Sequence, residues 1–343
     1  MKSLRTILMA ALAVTLVSAD ALAAKPKVHL KIATLAPEGS TWMNLMHELD
    51  DRVREATANE VGFKFYGGGV QGDERLVLRK MRNGQLHGGG FTGNGLGVVA
   101  PALRVLELPF GFQDETEIDA VYAEMGDEFE GILQESGHVL LGWAEVGFVH
   151  IFTQKPLTTL GDLRNMKMWL WEGDPLAEAF FAEADVSPVS LSITDVYTSL
   201  QTGLVDGVYS SPYGAVVLQW HSQVKAMSES PITHAIGAVV VTEKAWKKIS
   251  PESQAKVREI ADDVFARLKA SSREENRQAM DDIRAAGIQV TPVSPEALQV
   301  FQEIGERAAR HNVGKLYTED LLNRVRGVIS AHRTAGDGEV GSH

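Results

Sequence analysis

The sequence contains no cysteine among its 343 residues. Disulfide bonds and a lipid anchor on an N-terminal cysteine are therefore excluded, so the folded chain must be stable in any compartment without covalent cross-links. Its length is that of a protein with two domains.

The sequence is also poor in positive charge. Lys and Arg number 33 against 45 Asp and Glu, which gives a formal net charge of −12. A chain this acidic is repelled by nucleic acid and by anionic membrane surfaces, so we expect neither as a partner.

Long apolar runs are missing after the first residues. Lys2 and Arg5 precede an apolar stretch, and a small-x-small site ends at Ala23. The stretch is shorter than the ~20 residues that span a bilayer, which is typical of a cleaved signal peptide. We predict a signal peptide at residues 1–23 and a soluble product exported to the periplasm. An uncleaved membrane anchor is the alternative.

Catalytic and metal-binding motifs are missing too. His47-Glu48 begins a zinc-protease motif, but Asp51 stands where the second histidine is required. No G-x-S-x-G surrounds Ser210 and Ser211. Residues 88–93 (GGGFTG) match a dinucleotide fingerprint, but the end of a helix, not a strand, is predicted before them. We therefore predict no enzyme activity, no cofactor and no metal site.

Strand and helix patterns alternate along the chain. Residues 28–33 and 61–66 alternate as half-buried strands, while residues 41–57 and 115–136 have helical spacing. Residues 251–286 form an unusually long run of helix formers. This order predicts an α/β fold with largely parallel sheets.

Several segments resemble the DctP family, the periplasmic substrate-binding subunits of TRAP transporters. Residues 31–39 (KIATLAPEG), residues 106–112 (LELPFGF) and residues 195–207 (DVYTSLQTGLVDG) carry the resemblance, the last being similar to EVYTALQQGVVDG. It extends over residues 31–250. It implies a two-domain periplasmic binding protein of the Venus-flytrap type, with a long domain-spanning helix and the ligand between the domains.

The resemblance also implies domain boundaries. Domain I is expected to comprise residues 24–146 and 233–262, and domain II residues 147–232 and 263–333. Residues 334–343 are expected to form a disordered tail.

Three polar ligand contacts of the family are absent. Trp169 stands where the family has an arginine that binds a ligand carboxylate, and Val149 replaces a second arginine. Ser210 or Ser211 replaces an asparagine. An arginine fork supplies two charge-assisted hydrogen bonds, whereas a tryptophan supplies apolar surface, so these changes favour an apolar site.

The same comparison gives the expected ligand-binding residues. Ordinary core packing is the alternative for each tryptophan. The candidates are Trp169, Trp171, Val149, Phe148, Tyr209, Ser210, Ser211, Ile193, Thr92, Asn94, Ala36 and Pro37.

We therefore predict a substrate-binding protein of a TRAP-type or related transport system that binds an apolar or amphipathic, lipid-like ligand. Its partners would be inner-membrane transporter subunits and a tetratricopeptide-repeat periplasmic protein. The alternative is a small organic acid held by a relocated cation, Arg104 or Lys167. A periplasmic enzyme is the third candidate.

Overall fold

A computed structural model describes residues 25–340 of the chain. The predicted signal peptide and residues 341–343 lie outside this range. No helix within residues 25–340 is both long and apolar enough to cross a membrane.

The first lobe is built around three parallel strands. Strand β1 (Val28–Thr34) lies between β2 (Val61–Tyr66) and β3 (Gly88–Thr92). Its helices are α1 (Thr41–Ala56), α2 (Glu74–Arg82), α3 (Gly93–Val99), the 3₁₀ helix Pro101–Glu107 and α4 (Glu115–Glu135). Ser40, Asp73 and Asp114 cap the helices α1, α2 and α4 through their side-chain oxygens.

One long strand, β4 (His138–Thr153), belongs to both lobes. Residues 138–149 pair with β9 (Thr233–Thr242), which in turn pairs with β3. Residues 150–153 pair instead with β7 (Gly207–Ser210) in the second lobe. All of these pairs are antiparallel, so the sheet is mixed, and the expectation of largely parallel sheets was wrong. Strand–helix alternation predicts parallel pairing within a lobe, but not for strands that connect the lobes.

The second lobe contains shorter elements. Its strands and helices are α5 (Leu160–Arg164), β5 (Trp169–Trp171), α6 (Pro175–Glu183), β6 (Val189–Leu191), the 3₁₀ helix Ile193–Asp195, α7 (Val196–Gln201), β7, α8 (Pro212–Val217), the 3₁₀ helix Trp220–Gln223, β8 (Ala226–Ser228), β10 (Gln289–Thr291) and α11 (Pro295–His311). The order across the large sheet is β10-β8-β4-β9-β3-β1-β2, and β5 pairs with β6 separately.

A long helix runs along both lobes. After the short α9 (Glu243–Trp246), helix α10 extends from Pro251 to Ala285. Val257 and Phe265 are buried in the core of the first lobe, and Ile283 is buried in the core of the second. The α/β, two-lobed fold with a lobe-spanning helix agrees with the prediction.

The last helix, α12 (Glu319–Val340), returns to the first lobe. Leu322 and Val325 are buried there with Phe129 of α4. The predicted boundaries place residues 319–333 in domain II, whereas this packing is with the first lobe. Residues 334–340 are helical rather than an irregular tail, because they extend a helix that is already formed.

Candidate functional site

A cavity of about 290 Å³ lies between the two lobes. The first lobe contributes the loop after β1 and the end of β3, and the second contributes β5, β7 and the start of α8. Most side chains around it are apolar.

Eleven of the twelve predicted residues line this cavity, and Phe148 does not. Neighbouring residues of β4 face opposite sides of the sheet, so Val149 faces the cavity and Phe148 faces away. The Phe148 ring packs against His234, with 5.4 Å between ring centroids. Phe148 is therefore a packing residue of the first lobe, and its prediction as a cavity residue was wrong.

Trp169 is the centre of an aromatic cluster at the cavity wall. Its ring stacks on Tyr209 at 4.8 Å and 24°, and meets Trp220 edge-on at 5.3 Å. Trp171 lies 5.8 Å away and also lines the cavity. Both tryptophans thus combine core packing with a position at the cavity, although the two roles were predicted as alternatives.

Two hydroxyl groups of this wall are already hydrogen-bonded within the second lobe. The Tyr209 hydroxyl accepts a hydrogen bond from Trp171 N at 3.0 Å, and burial raises the pKa of Tyr209 well above its usual value. Ser211 Oγ accepts from Gly214 N at 3.1 Å as the N-cap of α8. The Ser211 hydroxyl is therefore engaged in the fold.

Arg104 is the only Arg or Lys among the cavity-lining residues of the described chain. It is 4% exposed. Its Nη2 donates to Asp174 Oδ1 at 2.9 Å. Its Nε lies 3.0 Å from Glu107 Oε2, although the N–H does not point at that oxygen in hydrogen-bonding geometry, and Nη1 has no protein partner. Burial lowers the pKa of Arg104, but the charges of Asp174 and Glu107 together outweigh it and raise the pKa above its usual value, so Arg104 is charged.

Lys167, the other cation predicted to hold an organic acid, does not reach the cavity. Lys167 is exposed, and its Nζ donates to the carbonyl of Gly203. Of the two candidate cations named from the sequence, only Arg104 lies at the site.

Glu74 is a cavity residue that the sequence did not single out. It accepts hydrogen bonds from Thr92 N at 2.6 Å, Thr92 Oγ1 at 3.0 Å and Gly95 N at 2.7 Å. Burial nevertheless raises the pKa of Glu74 to about 8. The Glu74 carboxyl is therefore mostly neutral at pH 7.

The other acidic side chains at the cavity have partners or are buried. Glu145 accepts from Arg273 at 2.6 and 2.7 Å, and Glu275 accepts from Thr41 Oγ1 at 2.5 Å. Burial raises the pKa of Glu107, which also accepts from Ile236 N at 2.9 Å. No group of three potential metal-binding side chains occurs within residues 25–340.

The two-lobed fold is shared with solved structures. A TRAP periplasmic solute binding protein of Ralstonia eutropha with bound (S)-2-acetolactate has a TM-score of 0.82 at 22% identity, covering 89% of this chain and 99% of that chain. A protein of the same description from Xanthobacter autotrophicus, with bound β-D-galacturonate, has a TM-score of 0.81 at 20% identity, covering 87% and 99%.

Sequence comparison assigns the family. A solute-binding protein of Chromohalobacter salexigens is 26% identical over 249 residues, which are 71% of this chain and 73% of the relative. The model of the DctP family, described as bacterial extracellular solute-binding protein, family 7, matches residues 32–315. The chain belongs to this family of bacterial solute-binding proteins.

Proposed function

We propose that this chain is the solute-capturing subunit of a TRAP-type transport system, and that its solute is a small organic acid with an apolar body. The observation that carries this proposal is the position of Arg104. It is a buried guanidinium at the cavity, and its Nη1 has no protein partner. A buried N–H without a partner is costly, and a solute carboxylate would satisfy it with a charge-assisted hydrogen bond.

The size of the cavity supports a small solute. Its volume of about 290 Å³ is just below the roughly 300–1,000 Å³ that is usual for small-molecule sites. A long-chain lipid or a polycyclic compound, which the sequence favoured, requires more room. The acids bound in the two solved relatives, acetolactate and galacturonate, support a carboxylate as the charged group.

The walls of the cavity indicate what the rest of the solute is. Trp169, Tyr209, Phe180 and Ile151 present rings and aliphatic groups to the cavity, while the hydroxyls of Tyr209 and Ser211 are engaged in the fold. Asn94 Oδ1 lines the cavity without a protein partner and could accept from one solute hydroxyl. The several hydroxyls of a sugar acid would lose water with few such partners to replace it. An aromatic or branched aliphatic body matches these walls.

An uncharged apolar or amphipathic solute is the second candidate. It is favoured because the positive charge of Arg104 is already paired with the carboxylates of Glu107 and Asp174. A solute carboxylate would have to share the guanidinium with them, whereas an uncharged solute would not.

The fold also supports the proposed partners. A solute held between two lobes stabilises their closed arrangement, and membrane subunits can recognise that arrangement. We propose transporter subunits of the inner membrane as partners and the periplasm as the location. The tetratricopeptide-repeat partner stays a prediction from the sequence.

Calorimetry with matched pairs of probes tests the charge of the solute. Phenylacetate and hexanoate are compared with phenylacetamide and hexanamide, which have nearly the same shape without the charge. The proposal predicts that each acid binds at least about tenfold more tightly than its amide, the value of one charge-assisted hydrogen bond.

A charge-balanced variant provides the control. Arg104→Gln combined with Asp174→Asn leaves the net charge of the site unchanged, and it should abolish the preference for the acids. If the amides bind the unmodified protein as tightly as the acids do, the solute carboxylate is rejected and the second candidate is favoured.

A further inference from the structure

Two polar contacts made by arginines join the lobes beside the cavity. Arg104 of the first lobe donates to Asp174 of the second at 2.9 Å, and Arg75 Nη2 donates to the carbonyl of Gly173 at 2.5 Å. We call these four residues the lobe junction. Each contact brings together residues separated by 70 positions or more in the chain, so the junction forms only when the lobes approach each other.

The two carboxylates on Arg104 differ in their origin. Glu107 lies three residues from Arg104 on the same 3₁₀ helix, so it stays beside the guanidinium whether the lobes are apart or together. Asp174 comes from the opposite lobe and is 6% exposed. Arg104 is the only cavity-lining Arg or Lys of the described chain. Asp174 therefore reaches it only when the second lobe closes onto the first.

We propose that Asp174 determines the charge specificity of the site, because its carboxylate competes with an acidic solute for Arg104. The same contact holds the lobes together when no solute is bound. The first part of this inference rests on the proposed role of Arg104 in solute binding, while the second is independent of it. Asp174 would thus lower the affinity for acids relative to uncharged solutes of the same shape.

Asp174 can be changed without removing its structural role. Its Oδ1 also accepts from Leu176 N at 3.1 Å and Ala177 N at 3.3 Å, which caps helix α6. Asparagine is as good an N-cap as aspartate. Asp174→Asn therefore keeps the shape and the cap, and it removes only the charge.

A ratio of affinities tests the competition. The dissociation constants of phenylacetate and phenylacetamide are measured by calorimetry for the unmodified protein, Asp174→Asn and Glu178→Gln. Glu178 is exposed on the same helix, so its variant removes one negative charge nearby without touching Arg104. Any change in lobe closure affects both probes alike, and the ratio therefore reports the charge alone.

We expect the preference for phenylacetate over phenylacetamide to rise about tenfold or more in Asp174→Asn, because the competing carboxylate is gone, and to stay constant in Glu178→Gln. An unchanged ratio in Asp174→Asn would overturn the competition, even where the unmodified protein binds the acid. If the unmodified protein binds only the amide and Asp174→Asn gains the acid, the acid-binding function fails and the role of Asp174 stands.

A distance measurement tests the lobe junction without any probe. The chain has no cysteine, so Arg79→Cys on α2 and Thr198→Cys on α7 give a single pair of exposed spin-label sites, one on each lobe. In the solute-free protein we expect one short distance, and in Asp174→Asn an added population at longer distance. Identical distance distributions in the two proteins would overturn the inference that Asp174 holds the lobes together. This outcome does not depend on whether phenylacetate or phenylacetamide binds.

Discussion

The indole N–H of Trp169 donates to the carbonyl of Leu191 at 3.0 Å. This bond links β5 to the end of β6 within the second lobe, where Trp169 also pairs with Val189. The only polar atom of the side chain is thus engaged in the fold. Trp169 can offer a solute the apolar surface of its ring, but no hydrogen bond.

Trp169→Phe tests this double role. The variant loses the bond to Leu191 and part of the packing, so we expect the free energy of unfolding to fall by about 1–3 kcal/mol in urea denaturation. Solute affinity should fall as well. Trp246→Phe is the control, because Trp246 is buried in the core of the first lobe away from the cavity and should affect stability alone. Unchanged solute affinity in Trp169→Phe would contradict its place in the site.

The pKa of Glu74 predicts how acid binding depends on pH. The carboxyl, with a pKa of about 8, is neutral below that pH and negative above it. The affinity for phenylacetate should fall about tenfold as the pH rises from 7 to 9, because the newly charged Glu74 carboxylate then repels the solute carboxylate. Phenylacetamide should show no such change, and Glu74→Gln should remove it. The same pH dependence for both probes would exclude this cause.

The buried side chain of His234 should make the protein less stable in acid. Neither ring nitrogen has a protein partner, and burial between Phe112 and Phe148 lowers its pKa from 6.5 to about 3. Between these values the unfolded chain binds a proton that the folded chain excludes. The free energy of unfolding should therefore fall by about 1.4 kcal/mol per pH unit as the pH decreases through this range.

Two leucine substitutions separate the roles of the buried histidines. His234→Leu should reduce this pH dependence by one proton and leave stability at pH 7 unchanged or higher, because no hydrogen bond is lost. His150→Leu should destabilise by about 1–3 kcal/mol, since the ring of His150 bonds the carbonyl of Ser228 at 2.9 Å. Equal pH slopes for the unmodified protein and His234→Leu would contradict the assignment.

Gly147 lies at a break in the strand register of β4, shortly before the strand changes its partner from β9 to β7 at His150. Its φ is +109°, and an added Cβ would lie 2.6 Å from Asn276 Nδ2. Asn276 donates to Val146 O at 3.1 Å and accepts from Tyr213 N at 3.1 Å, which ties helix α10 to this part of β4.

Gly147→Ala should therefore lower the free energy of unfolding by about 2–4 kcal/mol, through backbone strain and the displacement of Asn276. Gly137→Ala is matched to it, because φ is +79° there and no atom lies within 4 Å of the added Cβ. Its cost should be about 1 kcal/mol. Equal costs for the two variants would show that the Asn276 contact contributes nothing.

Much of the fold could be predicted from local patterns. Strand β2 has the predicted bounds, and α10 ends one residue before its predicted end, because hydrophobic periodicity and the Ser250 cap define them. Strand β4 (His138–Thr153) has a less regular pattern. Its burial does not alternate regularly, since register breaks interrupt its pairing with β9 and its last four residues pair with β7 instead.

The site was predictable where it lies in family motifs and not where it depends on pairing between lobes. Trp169 and Val149, which line the cavity, were predicted because the resemblance implies arginines at their positions. Asp174 and Glu74 gave no signal, since a lone acidic residue at the start of a helix is usually an exposed cap. Their burial follows from contacts with Arg104 and with the end of β3, which a local pattern does not contain.

The central claim is that a solute carboxylate meets Arg104 between the lobes. A crystal structure of the protein with bound phenylacetate tests this most directly. We expect a carboxylate oxygen within about 3 Å of Arg104 Nη1 and the phenyl ring against Trp169 and Tyr209. A carboxylate that points to solvent, or that lies on a cation other than Arg104, would contradict it.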